Sequence, residues 1–190
     1  MKGIIREAKF EDLQEILELQ RRAFHSVAVR AGNLRIPPMT QTLEQIQDEF
    51  LNSVFLVCED QGRIVGSVRA HVTSENVCHL GRLMTEPEHQ GQGIGTALMN
   101  EIEQRMRECA RFELFTGEDF TEIVRLYHKL GYIVTRKEDM DSVPMVFMMK
   151  TNPPDKSAWA PSHRVHEFEG FAYSPPHRCG REGGFRGVER

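Results

Sequence analysis

Three glycines within five residues mark a place in this sequence where the main chain itself could do chemistry. Gly91, Gly93 and Gly95 lie in "PEHQGQGIGTALM", residues 87 to 99, directly before a helix-like pattern. Glycine at the start of a helix costs backbone order, which indicates that another group must approach the bare backbone closely. A helix N-terminus offers unpaired N–H groups and a partial positive charge, so this spacing favours binding of a phosphate or pyrophosphate.

Two other phosphate-binding motifs do not fit these residues. A dinucleotide-binding loop requires Gly-x-Gly-x-x-Gly, whereas here the third glycine comes one residue early and Thr96 and Ala97 follow it. A loop of the NTP-hydrolysing type ends in Gly-Lys-Ser/Thr, and no lysine follows Gly95. A plain glycine-rich turn is less favoured, because such a turn needs one glycine rather than three. The sequence therefore predicts anion binding by the main chain, without a metal ion or a lysine.

Two motifs together resemble the GNAT superfamily of acyl-CoA-dependent N-acetyltransferases. The first is Gln90-x-x-Gly93-x-Gly95 after a strand that ends in "LMTEP", and the second is "LYHKLGY", residues 126 to 132, at the end of a later helix. Their order and spacing are similar to those of the family, and the resemblance covers residues 1 to 150. It implies that the CoA pyrophosphate is bound by Gln90, Gly91, Gln92, Gly93, Ile94, Gly95 and Thr96.

The resemblance also implies how the rest of acetyl-CoA is held. In the family, the strands that correspond to "VCHLGRLMT" and "FELFT" splay apart, and the pantetheine arm inserts between them like an added strand. The main chain of Leu83, Met84 and Thr85 is then expected to hold the pantetheine, and an N–H near Met84 to polarise the thioester carbonyl. A neutral amine attacks directly, so Cys78 and Cys109 are expected to be small apolar core residues rather than nucleophiles.

Two protons must move in such a reaction. Tyr127 in "LYHKLGY" is the expected acid for the departing CoA thiolate, because a tyrosine with a pKa of about 10 stays protonated. The alternative is that Tyr127 only packs on the core. His79 and Glu75 are the candidates for the base that deprotonates the amine, directly or through water. A single histidine in a strand is more often structural, so the identity of the base stays open.

One position departs from the family pattern and leaves two functional hypotheses. The family often has an asparagine, preceded by a serine, in the helix before Leu-Tyr, whereas "FTEIVRLY" places Phe120 and Ile123 there. Ile123 is therefore expected to replace a polar CoA contact with an apolar one. The leading hypothesis is an enzyme that moves an acetyl group to a primary amine of a small molecule or protein. The alternative is a non-catalytic acyl-CoA-binding or sensing module.

Hydrophobic periodicity predicts the elements that would position these residues. Thr42 and Gln45 form a possible capping box, and "NLRIPPM" is expected to be a loop. The predicted order is βααβββαβαββ, an α/β (α+β) fold with a central mixed sheet flanked by helices. The predicted strands cover residues 3–8, 54–60, 63–73, 77–85, 112–116, 132–137 and 144–150, and the predicted helices cover 10–25, the segment after Thr42, about 93–109 and 118–131.

Composition limits the class of protein and of partner. The net charge of −4 argues against a nucleic-acid or anionic-membrane binder. Four widely spaced cysteines without a Cys-x-x-Cys pair argue against a zinc site and suit a reducing cytoplasm. Residues 1–150 are predicted to form the acetyltransferase domain, and residues 151–190, with five prolines and five glycines, a poorly ordered tail. The expected partners are acetyl-CoA and an amine acceptor, and a homodimer is possible.

Overall fold

Seven strands form one mixed sheet in the computed structural model, which describes residues 3–140 and 143–152. The strand order across the sheet is β1-β2-β3-β4-β5-β7-β6. This arrangement of helices around a mixed sheet confirms the predicted fold class. The strands are β1 (Ile4–Glu7), β2 (Val54–Asp60), β3 (Arg63–Val72), β4 (Val77–Thr85), β5 (Arg111–Gly117), β6 (Ile133–Met140) and β7 (Val143–Thr151); the helices are α1 (Leu13–Arg30), α2 (Pro37–Thr40), α3 (Leu43–Leu51), α4 (Ile94–Arg105) and α5 (Thr121–Lys129).

Each face of the sheet has its own apolar core. Ile94, Leu98 and Ile102 recur every four residues along α4 and are buried together with Tyr127 of α5 on one face, which we call the donor face. On the opposite face, which we call the acceptor face, Leu13 and Ile16 of α1 and Ile46 of α3 are buried against the sheet. Each fully buried side chain of this kind contributes about 1.5–3 kcal/mol, so the two cores hold the helices onto the sheet.

Two local signals read from the sequence are present in the structure. The β2–β3 hairpin turns at Gln61 and Gly62, both with positive φ (51° and 76°), as a two-residue hairpin turn of type I′ requires. The capping box of α3 is formed: Gln45 N donates to Thr42 Oγ1 at 3.2 Å, and Thr42 N donates to Gln45 Oε1 at 2.9 Å. Such a cap stabilises a helix by about 1 kcal/mol.

Element boundaries differ from the predictions at three places. The segment predicted as a loop contains the short helix α2, because its consecutive prolines fit the first turn of a helix, where no N–H bond is needed. Helix α1 continues to Arg30 rather than residue 25. Helix α4 ends at Arg105 rather than Cys109; Met106 still packs on the core, so the apolar pattern continues beyond the last helical residue.

A β-bulge in β4 was not predicted. Ser67 is paired with Met84 and Arg69 with Gly81, so two β4 residues, Arg82 and Leu83, lie opposite a single residue of β3. Arg82 takes a positive φ of 50° at this bulge. The extra residue reverses the alternation of side chains along the strand. As a result Cys78 and Leu80 lie in the donor-face core, whereas Met84 lies in the acceptor-face core.

The sheet divides between its two parallel strands. Strands β4 and β5 pair only at Val77–His79 with Arg111–Glu113. Beyond His79, β4 is paired with β3 alone and β5 with β7 alone, as far as the described residues show. The separation that the resemblance implied is therefore present. We call it the wedge; it widens toward Thr85 and Gly117, where the chain continues into α4 and α5.

Candidate functional site

Two of the three motif glycines are required by backbone conformation. Gly91 and Gly93 have φ values of 74° and 84°, in the left-handed region that other residues rarely adopt. A Cβ atom at either position would meet nothing within 4 Å. Gly93 is the N-cap residue directly before α4, and it offers no side chain to cap the helix. The bare backbone here is therefore open to an external group.

The N–H groups of this segment are available for a ligand. The first hydrogen bond of α4 joins Ala97 N to Gly93 O at 3.0 Å. The N–H groups of residues 91–96 donate to no acceptor within the described part of the chain. Consecutive unpaired N–H groups at a helix N-terminus form a concavity that attracts an anion. We call residues 90–96 the anion loop.

Gly95 brings the anion loop together with two other elements. A Cβ at Gly95 would lie 3.8 Å from Leu126 Cδ2 of α5, 3.9 Å from Leu83 Cδ2 and 4.0 Å from Thr85 Oγ1 of β4. These are ordinary contact distances, so alanine would fit and a larger side chain would occupy the space. The start of α4, the end of β4 and the middle of α5 therefore meet at one point, at the wide end of the wedge.

The direction of main-chain groups at the end of β4 follows from its pairing. Glu86 N donates to Val65 O at 2.8 Å, and Met84 O lies next to Gly66. Both residues thus direct these groups toward β3. Because direction alternates along a strand, the N–H and C=O of Thr85 point into the wedge. Of the predicted pantetheine contacts, Thr85 has the free main-chain groups, and its N–H is the donor next to Met84.

Tyr127 lies buried beside this point, with 7% of its surface exposed. Its ring centroid is 5.8 Å from that of Tyr132, whose hydroxyl donates to Glu103 Oε1 at 2.8 Å. The Tyr127 hydroxyl has no hydrogen-bond partner among the residues described. Burial raises the pKa of Tyr127, so it remains a protonated donor. Ile123, one helical turn earlier, is 38% exposed and adds an apolar surface to the same side of α5.

His79 occupies the closed end of the wedge. It is the last β4 residue paired with β5, and its Nδ1 lies 3.9 Å from Glu113 Oε2. Burial lowers the pKa of His79, while Glu113 opposes this shift and His71 and Arg111 add to it. At neutral pH the imidazole is therefore uncharged and able to accept a proton.

The structure does not bring the second candidate base to the wedge. Glu75 is an exposed residue of the turn that precedes β4. The pairing of β4 with β3 carries the strand from that turn to Thr85, so Glu75 lies at the opposite end of β4 from the anion loop. Of the two, only His79 faces the place where β4 and β5 part.

A buried polar network around Arg69, which is paired with Gly81 of β4, was not predicted from the sequence. Arg69 of β3 is 6% exposed and is hydrogen-bonded to Glu49 and Gln20, with Gln41 at 3.3 Å. Burial lowers the pKa of Arg69 to about 10, which still leaves it charged at neutral pH. The network joins β3 to α1, α3 and the segment between them. Its members lie at scattered sequence positions, so no local pattern pointed to it.

Neither a cluster of metal-ligand side chains nor an exposed cysteine is found within residues 3–140 and 143–152. That part of the chain contains no group of three or more His, Cys, Asp or Glu residues placed to hold a metal ion. Cys58, Cys78 and Cys109 are buried free thiols, and burial raises the pKa of Cys78 to about 12. Such thiols are poor nucleophiles.

Among the described helices, none has the length and apolar character needed to cross a bilayer. The predicted tail lies outside the described residues.

Comparison with known proteins agrees with this geometry. A family model described as the acetyltransferase (GNAT) family matches residues 13–132. The fold is similar to that of the PaiA N-acetyltransferase from Thermoplasma acidophilum in complex with coenzyme A, with 22% identity, a TM-score of 0.67, and coverage of 80% of this chain and 99% of that one.

Two further solved structures share the fold. A GNAT superfamily phosphinothricin acetyltransferase from Sinorhizobium meliloti in complex with acetyl-CoA is 19% identical, with a TM-score of 0.68 and coverage of 87% of this chain and 96% of that one. The ribosomal-protein-S18-alanine N-acetyltransferase from Escherichia coli is 15% identical, with a TM-score of 0.66 and coverage of 79% and 94%. Together with the family match, the wedge and the anion loop lead to one conclusion: this chain belongs to the acetyltransferase (GNAT) family.

Proposed function

We propose that this protein transfers the acetyl group of acetyl-CoA to a primary amine, by direct attack of the amine on the thioester. The observation that carries the proposal is the meeting of the anion loop with the wide end of the wedge at Gly95. One feature suits a pyrophosphate, and the other suits an extended arm that adds to a strand edge. Two similar structures contain coenzyme A or acetyl-CoA.

The donor is held mainly by main-chain groups in this proposal. The N–H groups of residues 91–96 bind the pyrophosphate, and Gly91 and Gly93 leave room for it to approach. The pantetheine lies along β4, where Thr85 directs its main-chain groups into the wedge. Acetyl-CoA supplies an activated acyl group on a thiol leaving group. The Thr85 N–H, next to Met84, stabilises the negative charge that develops on the thioester oxygen.

Two side chains move the protons. His79 has a lowered pKa and is neutral at pH 7, and it takes the proton of the amine through a chain of waters along the wedge as the C–N bond forms, because it lies six residues along β4 from Thr85. Tyr127 gives its proton to the sulfur as the C–S bond breaks, and it is reprotonated from solvent. Tyr127 is buried as a residue, and its hydroxyl has no competing hydrogen-bond partner among the described residues, which favours this role.

The second candidate function is a module that binds an acyl-CoA without turnover. It is favoured by Ile123, an exposed apolar residue on the side of α5 that carries Tyr127. An apolar contact at this point weakens polar recognition of CoA but leaves binding by the anion loop intact. Turnover in the presence of an amine distinguishes the two functions.

We also propose a cytoplasmic location and a partnership with small molecules rather than nucleic acids or membranes. The net charge of −4 offers no attraction to polyanions, and three buried free thiols suit a reducing compartment. A homodimer stays a prediction from the family resemblance.

Calorimetric titration with acetyl-CoA tests donor binding. We expect the wild-type protein to bind and Gly93→Glu to lose at least about 100-fold in affinity, because a carboxylate then occupies the anion loop. Gly131→Glu is the matched control: Gly131 also has a positive φ (93°), but it follows α5, and a Cβ there would meet the Lys150 side chain rather than the loop. It should lose stability without losing affinity. Wild-type-like binding by Gly93→Glu would contradict the proposed site. Release of CoA thiol with a panel of amines then separates enzyme from sensor.

A further inference from the structure

A cavity of about 320 Å³ lies at the wide end of the wedge and is not used by the proposed donor site. It is bordered by the C-terminus of α1, the end of β5 and the start of β7. Gly117, one of its lining residues, is four positions beyond Glu113, where the pairing of β4 with β5 ends. The cavity is therefore about 13 Å along β5 from the closed end of the wedge.

One residue that lines the cavity, Arg30, is exposed, and two contacts orient its guanidinium group. Arg30 Nη2 donates to the main-chain oxygen of Asp119 at 3.0 Å, and its guanidinium carbon lies 4.7 Å from the centroid of the Phe120 ring. The Phe120 ring in turn lies on Gly117, where a Cβ would come within 2.6 Å of two ring carbons. A bare backbone, an aromatic ring and a guanidinium thus form a stack that orients Arg30.

Arg30 forms no ion pair within 4.0 Å in the described part of the chain, although Asp119 lines the same cavity. Its hydrogen bond goes to a carbonyl. A guanidinium has five N–H donors in a planar fork that matches a carboxylate. Arg30 therefore retains donors that can bind an anion entering the cavity.

We propose that the acceptor is a small amine that carries a carboxylate, and that Arg30 binds this carboxylate. This inference rests on the proposed acetyl transfer and names its acceptor class. The volume lies within the range of small-molecule sites. Phe120, Val143 and Pro144 offer apolar contacts, which suit the side chain of an apolar amino acid. Asp119 also lines the cavity, so its carboxylate defines the competing acceptor, one that carries a second cation.

Paired acceptors test the inference. Initial rates of CoA thiol release are measured with L-leucine, L-methionine and L-phenylalanine and with their amides, which lack the carboxylate. We expect Arg30→Gln to lower the acid-to-amide ratio of kcat/KM about 10- to 100-fold, mainly through KM of the acid, because a charge-assisted hydrogen bond is lost. The readout is the change of this ratio from wild type to Arg30→Gln. The α-amino group of an amino acid amide has a lower pKa than that of the amino acid, but this difference affects the wild type and the variant alike.

Matched variants keep the outcome specific. Arg35→Gln removes the same charge from an exposed residue that does not line the cavity, and it should leave the ratio unchanged. Arg30→Lys retains the charge without the planar fork and should fall between wild type and Arg30→Gln. Thermal melting and the acetyl-CoA affinity of each variant report whether it is folded.

Three results would overturn the inference. The first is an unchanged ratio in Arg30→Gln, and the second is acetylation of amines without any acetylation of the amino acids. The third is a preference for diamines that Asp119→Asn removes, which would assign the cavity to a cationic acceptor. Failure of the wild-type protein to bind acetyl-CoA in calorimetry is a separate result, and it would overturn the proposed function together with this inference.

Discussion

The two faces of the sheet differ in the chemical groups that they offer to a ligand. On the donor face, an apolar core surrounds Tyr127, and the anion loop offers main-chain N–H groups rather than charged side chains. On the acceptor face, charged and polar side chains dominate around the wedge: Arg69, His79 and Glu113. In the proposed function, the donor is recognised by main-chain N–H groups, whereas the acceptor is selected by side chains that can change without loss of the fold.

The largest expected effect is that of removing the Tyr127 hydroxyl. If the donor face supplies an acid, Tyr127→Phe should lower kcat about 100-fold and leave acetyl-CoA affinity unchanged, because only the departing thiolate uses the hydroxyl. Steady-state rates of thiol release and calorimetry measure the two quantities. Burial raises the pKa of Tyr127. The hydroxyl therefore stays protonated at and somewhat above neutral pH, and its ionisation should cause no loss of activity there.

Tyr132→Phe is the matched control on the same face. The Tyr132 hydroxyl donates to Glu103, so its loss should lower the melting temperature and leave kcat unchanged. Full kcat in Tyr127→Phe would mean that the donor face is only a packed core. The donor face would then supply no acid to the reaction, and the difference between the two faces would not concern proton transfer.

An intermediate effect is expected at Gly117, where the Phe120 ring packs against a residue that has no side chain. Gly117→Ala places a Cβ within 2.6 Å of the Phe120 ring, so the ring and the guanidinium stacked on it must move. We expect kcat/KM for the acceptor to fall about tenfold and stability by about 1–3 kcal/mol, with unchanged acetyl-CoA affinity. Kinetics with a working acceptor and thermal melting measure both.

Gly81→Ala is the control for this change, since a Cβ at this other strand glycine meets nothing within 4 Å. It should alter kcat/KM less than twofold. Equal effects of the two substitutions would show that the stack on Gly117 has no special role. A loss of acetyl-CoA affinity in Gly117→Ala would mean that the two faces do not act separately.

The smallest expected effect is a shift in pH dependence. The pKa of His79 is lowered mainly by burial and raised by Glu113, so Glu113→Gln should lower it further, with Arg111 and His71 acting in the same direction. If His79 is the base, activity falls as the pH drops through its pKa, which lies below the usual 6.5. The acid limb of kcat/KM should therefore move to lower pH in Glu113→Gln.

Glu75→Gln serves as the control, because Glu75 lies in the turn before β4 and should not affect this limb. A limb that stays in place in Glu113→Gln, or one that moves in Glu75→Gln, would remove His79 from the role of base. The acceptor face would then supply selectivity without proton transfer.

Local sequence signals predicted the parts of the site that local physics decides. Gly91 and Gly93 adopt left-handed conformations, which only glycine takes readily. The presence of glycine at these positions therefore predicts the backbone geometry. The capping box at Thr42 and the two-residue turn at Gln61 are equally local. The β4 bulge left no such signal, since Arg82 with a positive φ is an uncommon choice that pairing with β3 imposes.

The sequence by itself determined the order of the strands and of the longer helices, the anion loop and the family to which the chain belongs, because each rests on short-range periodicity or on a motif. Only the tertiary structure decided that Gly95 meets Leu83 and Leu126, that Glu75 lies away from the wedge, and that Arg30 stacks on Phe120 across 90 positions of the sequence. Such contacts join residues far apart in the chain. They depend on strand pairing and on the packing of helices against the sheet, which no local pattern contains.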